Sequence, residues 1–231
     1  MIYIAIPSGR QEKSILSKLG IMMDKDQELS KQVYLEKIDN HFKSCLSIDS
    51  LQVKVLKAGD IPMHVSSNGF DFGITGQDWV REYRCQFPKS AIEELLPLGV
   101  GKVRIVAAIH EAIPIESILD LKEFLNSFRS KEYFRIGSEY VNIADHYAKE
   151  YKLYRYRIIK TSGSTESLIP EDAEMIVENT QTGETLKKNC LKIIHTFFES
   201  EGCLIYNKLS PNINPEILDR VKVYFTEKFM K

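Results

Sequence analysis

Short apolar runs of strand length alternate with amphipathic, helix-length segments along this chain, and several of the runs stop at polar turns built around glycine. That alternation predicts an α/β protein with mostly parallel sheets, whose ligands gather at the carboxyl ends of the strands. The first unit shows the pattern. Ile2 to Ile6 is continuously apolar, as in a strand covered on both faces, Pro7 stops it, and Ser8-Gly9-Arg10 turns into a helix carrying Ile15, Leu16 and Leu19. Residues 21–50 are rich in charge, with Val33, Tyr34, Ile38, Phe42 and Cys45 as one face of a helix.

Further strands are expected at Leu51 to Leu56, through Phe70 to Ile74, at Val103 to Ile109, Phe134 to Gly137, Tyr156 to Lys160 and Gly202 to Tyr206. Pro62 suits the first turn of a short helix, Ile115 to Phe128 reads as helical, and Asn214-Pro215 starts a terminal helix. Leu95 to Gly101, with Pro97, Gly99 and Gly101, is the expected connection between two lobes.

Composition excludes several classes of function. With 31 basic against 32 acidic residues and a net charge of -1, the chain has no global attraction for nucleic acid or an anionic membrane, so an anionic ligand must be met locally. The 43% hydrophobic content supports a real core. Cys45, Cys85, Cys190 and Cys203 form no C-x-x-C pair and have no histidine at zinc-ligand spacing, which predicts reduced thiols. Without a basic n-region or a membrane-length apolar run, the expected location is cytoplasmic.

Three polar turns carry the candidate chemistry. Met175-Ile176-Val177 reads as the end of a buried strand that delivers Glu178, Thr180, Thr182, Gly183, Glu184 and Thr185 to the start of a helix carrying Leu186, Cys190, Ile194 and Phe197. Hydroxyls and free N–H groups there can hold a phosphate, with Gly183 admitting close approach, and a carboxylate at 178 can accept from a sugar diol. A plain threonine helix cap explains the same residues. Thr161-Ser162-Gly163-Ser164-Thr165-Glu166 is a second turn of this kind, and Ser138-Glu139-Tyr140 ends a third strand.

In order and spacing, Pro7-Ser8-Gly9-Arg10, Asp60-Ile61-Pro62, Asp71-Phe72-Gly73-Ile74-Thr75-Gly76-Gln77-Asp78, Glu139-Tyr140, Ser162 to Glu166 and Thr182 to Asn189 resemble the catalytic subunit of ATP phosphoribosyltransferase, in its short form. The resemblance implies a two-lobed fold like the periplasmic binding proteins with a cleft active site. It divides the chain into a discontinuous domain I, 1–97 plus 190–231, and a domain II, 98–189, carrying the loop for phosphoribosyl pyrophosphate (PRPP).

The implied reaction transfers the phosphoribosyl group of PRPP to N1 of the adenine of ATP with Mg²⁺. Glu139, Glu166 and Glu178 are the implied catalytic residues. Ser162, Gly163, Ser164, Thr165, Thr180, Thr182, Gly183, Glu184 and Thr185 are those for PRPP, and Gly9, Arg10, Lys57, Asp71, Thr75 and Gly76 those for ATP. The implied assembly is a homodimer, or a hetero-oligomer with a regulatory subunit resembling histidyl-tRNA synthetase. The chain departs from the pattern at Ser8, often lysine, Lys57, often arginine, Val141, often proline, and Glu174 and Glu178, often aspartate. The rival expectation, from the same fold, is a non-catalytic cleft protein that senses a phosphorylated metabolite or nucleotide; three carboxylates in one place argue against simple anion capture.

Overall fold

The structure, a computed structural model, describes residues 1–9, 12–19, 51–127 and 133–230. The amphipathic helix expected within 21–50 lies outside them, as does Arg10. In chain order the elements are β1 (Ile2–Pro7), α1 (Glu12–Lys18), β2 (Leu51–Leu56), α2 (Ile61–Ser66), β3 (Phe72–Gly76), α3 (Gln77–Gln86), β4 (Ile92–Pro97), β5 (Val103–His110) and α4 (Ile118–Ser127). There follow β6 (Phe134–Ser138), α5 (Val141–Glu150), β7 (Tyr156–Lys160), a 3-10 turn (Thr165–Leu168), β8 (Met175–Thr180), α6 (Glu184–Lys188), β9 (Leu191–Ser200), β10 (Gly202–Asn207) and α7 (Pro215–Phe229).

They form two units, Met1–Gly101 with Glu201–Lys231, and Lys102–Ser200. The first holds a sheet of order β2-β1-β3-β10-β4, in which β1 runs parallel to β2 and β3 while β10 is antiparallel to β3 and β4. Its continuous apolar β1 is covered on both faces, as the sequence demands. Ile2, Ile4 and Ile6 join a cluster with Ile15, Leu16 and Leu19 and with Val221, Tyr224, Phe225 and Phe229 of α7, while Ala5 joins Ile61, Val65, Val80 and Ile205. Asn214 caps α7 by accepting from the N–H of Ile217 at 2.9 Å, with Pro215 at the first helical position.

The second unit repeats the plan with order β7-β6-β8-β5-β9, where β6 is parallel to β7 and β8, and β5 is antiparallel to β8 and β9. Each sheet is therefore mixed, with one strand, β10 in the first and β5 in the second, running against the other four.

Two expectations change here. The helix expected to run from Leu186 to Phe197 ends at Lys188; Cys190 takes a φ of +53°, and Leu191 to Ser200 is a strand paired along the whole of β5. Leu186, Cys190, Ile194 and Phe197 do fall near a helical period, but the β-branched and aromatic run from Ile193 to Phe198 suits a strand and has buried β5 to pair with. Likewise, the stretch read as a connection from Leu95 contains the end of β4, an edge strand that tolerates Pro97. The units accordingly divide at 101/102 and 200/201, where the sequence suggested 97/98 and 189/190.

Candidate functional site

In the second unit the pairing register fixes where the polar turns go. Ser138 lies opposite both Lys160 and Val177, so the parallel strands β6 and β7 end level with each other while β8 continues beside them to Thr180. The turns after them, carrying Glu139, Thr161 to Glu166, and Gln181 to Gly183, therefore share one sheet edge, where α/β proteins hold ligands. Ser138 stitches that edge together. Its fully buried hydroxyl donates to Val177 O at 2.6 Å and accepts from Tyr140 N at 2.9 Å, and its carbonyl accepts from Thr161 N at 3.1 Å.

Three carboxylates belong to this edge. Burial raises the half-buried Glu178 carboxyl above the usual glutamate range; the Thr165 hydroxyl and the Asn179 backbone N–H draw it down, while the charges of Glu139 and Glu166 push it up again. Glu139 and Glu166 therefore lie near enough for their charges to be felt at Glu178. Their summed negative charge favours positive over negative charge near Glu178.

The two loops differ in how their donors are used. In the first, Thr180 Oγ1 accepts from Gly183 N at 3.0 Å and Thr182 Oγ1 from Glu184 N at 3.3 Å, so part of the donor set is capped by the loop's own hydroxyls. Gly183 stands at φ +81°, a conformation that β-carbons disfavour, and exposed Glu184 opens a helix of five residues. In the second loop, Ser162, Gly163 and Ser164 are exposed, with Gly163 at φ +101° and Ser164 at +49°. Thr165, 1% exposed, anchors this loop through a hydroxyl 2.9 Å from that of Thr161.

In the first unit β2, β1 and β3 are likewise parallel, and Gly9, Lys57 and Gly76 follow or end them. Gly9 is exposed at φ +101°, and exposed Lys57 opens a turn closed by Asp60 N to Lys57 O at 3.0 Å. Thr75 is buried and spends its hydroxyl on Ala58 O at 2.7 Å, so it shapes that turn. At Gly76 an added β-carbon would meet the Asp78 carboxylate, which would have to move.

Asp71 is among the residues expected for ATP, and its surroundings are structural. It sits at the amino end of β3, 4% exposed, where Oδ2 accepts from Tyr3 N at 2.8 Å and Oδ1 from Ser210 Oγ at 2.5 Å and Asn212 Nδ2 at 3.1 Å. It ties the chain's late loop to the start of β1, at the opposite end of the strands from the turns of interest. Sequence reasoning placed Ser138 at a strand end but gave Asn179 no part in the site; the available signal was an asparagine beside a carboxylate in a strand, where amides are out of place.

Among the described residues no group of three or more His, Cys, Asp or Glu could hold a metal ion, and no helix is long and apolar enough to cross a membrane. The buried Cys203 thiol is pushed far up by burial, and then by nearby carboxylates such as Glu94 and Asp78, and is inert as a nucleophile.

Solved structures place the fold in the two-lobed class that includes periplasmic binding proteins. The aliphatic sulphonate binding protein SsuA of Escherichia coli matches with a TM-score of 0.56 at 12% identity over 98% of this chain and 72% of that one. The ATP phosphoribosyl transferase (HisG:HisZ) complex from Thermotoga maritima matches with a TM-score of 0.74 at 21% identity, covering 100% of this chain and 99% of that one.

The sequence profile of the HisG family, ATP phosphoribosyltransferase, matches residues 57–226. An ATP phosphoribosyltransferase of Hydrogenobaculum is 30% identical over 96% of this chain and 98% of its own length. One of Chlorobaculum parvum is 34% identical over 70% of this chain, and the matched stretch spans about half, 51%, of that relative. The chain belongs to the ATP phosphoribosyltransferase family, the pentosyltransferases of the first step of histidine biosynthesis, which are metal-dependent in general.

Proposed function

We propose that this protein transfers the phosphoribosyl group of PRPP to N1 of the adenine of ATP, releasing pyrophosphate. The observation that carries the reading, within a chain of this family, is the shared edge of β6, β7 and β8, where hydroxyl- and glycine-rich turns adjoin three carboxylates.

The 5-phosphate is assigned to Thr180, Thr182, Gly183, Glu184 and Thr185, held by backbone N–H groups and hydroxyls. Because α6 is so short, those local donors matter more than any helix dipole. Ser162, Gly163, Ser164 and Thr165 form the second wall for PRPP. As the bond from C1 to pyrophosphate breaks, positive charge develops on the ribosyl ring, and Glu139, Glu166 and Glu178 stabilise it without a covalent intermediate. Glu178 also accepts from the ribose hydroxyls. Gly9, Arg10, Lys57 and Gly76 are assigned to ATP, with Thr75 setting the turn that presents Lys57.

Mg²⁺ is assigned as part of the substrate, bound to the pyrophosphate of PRPP, where it neutralises the leaving group; this suits an ion that keeps most of its ligands as water and phosphate. The biosynthetic role supports a cytoplasmic location. The named assembly of the Thermotoga complex supports a hetero-oligomer with a HisZ-type regulatory subunit.

The test is direct. The purified protein, with ATP, PRPP, Mg²⁺ and pyrophosphatase, should show the absorbance change of an N1-substituted purine, with or without a co-expressed HisZ-type partner. PRPP binding without turnover in either case would overturn the enzyme reading and favour a sensor.

A further inference from the structure

Besides the Thr165 hydroxyl, the Glu178 carboxylate is held by the residue that follows it. Oε1 accepts from Asn179 N at 2.9 Å and from Asn179 Nδ2, also at 2.9 Å, and the same amide nitrogen donates to Tyr140 Oη at 3.0 Å. Tyr140 is 1% exposed and therefore cannot drift. Its own N–H donates to Ser138 Oγ, whose hydroxyl donates to Val177 O, one residue before Glu178. The contacts close a ring, Val177, Glu178, Asn179, Tyr140, Ser138 and back to Val177, across the parallel pair β6 and β8.

That ring answers a physical problem. A glutamate has three side-chain torsions and loses substantial rotamer freedom when fixed, so without restraint its carboxylate would sample many positions at a strand end. An ionised carboxylate only accepts hydrogen bonds, so the nitrogen of the Asn179 amide must face it, and that same nitrogen then reaches Tyr140. We propose that Asn179 and Tyr140 are a positioning pair for Glu178, drawing its carboxylate back toward the β8 backbone and fixing it in the orientation used on the ribose. This rests on the assignment of Glu178 to the ribosyl ring.

The experiment measures kcat and KM for PRPP in Asn179→Ala, Tyr140→Phe and Glu178→Gln and in the double variant Asn179→Ala/Glu178→Gln, with folding followed by circular dichroism. Asn179→Ala should lower kcat and kcat/KM together by about tenfold, as expected for loss of an interaction tightened in the transition state. Tyr140→Phe, which keeps the buried ring, should lower both by about threefold. In the Glu178→Gln background the Asn179→Ala change should cost less than about twofold, because the group it positions has already been neutralised. An equal loss in both backgrounds, or unchanged kcat in both Asn179→Ala and Tyr140→Phe, would show the pair to be structural only and overturn the inference. Wild-type kcat in Glu178→Gln, or no turnover by the wild type, would instead overturn the assignment beneath it. Should Asn179→Ala fail to fold, Tyr140→Phe alone decides.

Discussion

The two units share one sheet plan, three adjacent parallel strands, then one reversed strand, then an edge strand that runs with the first three, yet they place charge at opposite ends of it. In the second unit the carboxylates Glu139, Glu166 and Glu178 gather at the carboxyl ends of β6, β7 and β8. In the first, the fully engaged carboxylate of Asp71 lies at the amino end of β3, while Lys57 follows the carboxyl end of β2. The same scaffold thus carries carboxylates after the parallel strands of one unit and an exposed lysine after β2 of the other. What the difference teaches is that a shared topology fixes where ligands gather, whereas the residues following the strands decide which ligands.

The comparison can be broken hardest at Gly183. Gly183→Val combined with Thr185→Ala forces a β-branched residue into φ +81° and removes a hydroxyl, and kcat/KM for PRPP should fall at least about 100-fold while circular dichroism stays native. Unchanged affinity would reduce this loop to a helix cap. In the first unit Asp71→Ala leaves three donors without their acceptor, and should cost about 3 kcal/mol of stability in urea unfolding. A raised KM for ATP with unchanged stability would return Asp71 to the nucleotide. Lys57→Ala should raise KM for ATP about fivefold to tenfold, more at low salt than at high, and leave KM for PRPP alone.

The smallest effect runs in the other direction. Because the folded state raises the Glu178 carboxyl, ionisation of this group opposes folding: its favourable contribution is complete below the unfolded pKa and is lost as pH rises through the folded one. Glu178→Gln should therefore raise Tm at neutral pH by roughly 2 °C, even as it lowers kcat, and the gain should vanish in acid. A lower Tm at pH 7 would contradict the assigned cause.

Local rules read much of this fold from the chain. The apolar β1 with Pro7, the Asn214-Pro215 start of α7 and the turn at Pro62 are decided by residues within a few positions of each other. What local rules misread was decided by distant partners. Cys190 to Phe198 has a helical spacing and a strand composition, and β5, some ninety residues earlier, chooses between them. Glu178 and the loop glycines stood out as chemistry-bearing residues in the sequence, but the burial of Asp71 among Tyr3, Ser210 and Asn212 depends on contacts that no window of sequence contains. The ring through Asn179 and Tyr140 is similarly nonlocal, since it exists only because β6 and β8 pair in one register.

The points at which the chain leaves and re-enters the first unit are held together by backbone. Gly202 N donates to Val100 O at 2.7 Å, Leu98 N donates to Gly202 O at 2.8 Å, and at the other side Val103 pairs with Ser200. All of 102–200 is thus, for the first unit, the content of a loop whose ends are already hydrogen-bonded. Replacing it by a tight hairpin from Gly101 to Glu201 would relieve the unfolded chain of a long closure, a difference of roughly 3 kcal/mol by the logarithmic scaling of loop entropy. The second unit, with its first and last strands paired, has the ends of a segment that can be excised, so each half of this protein is a candidate for expression as a domain by itself.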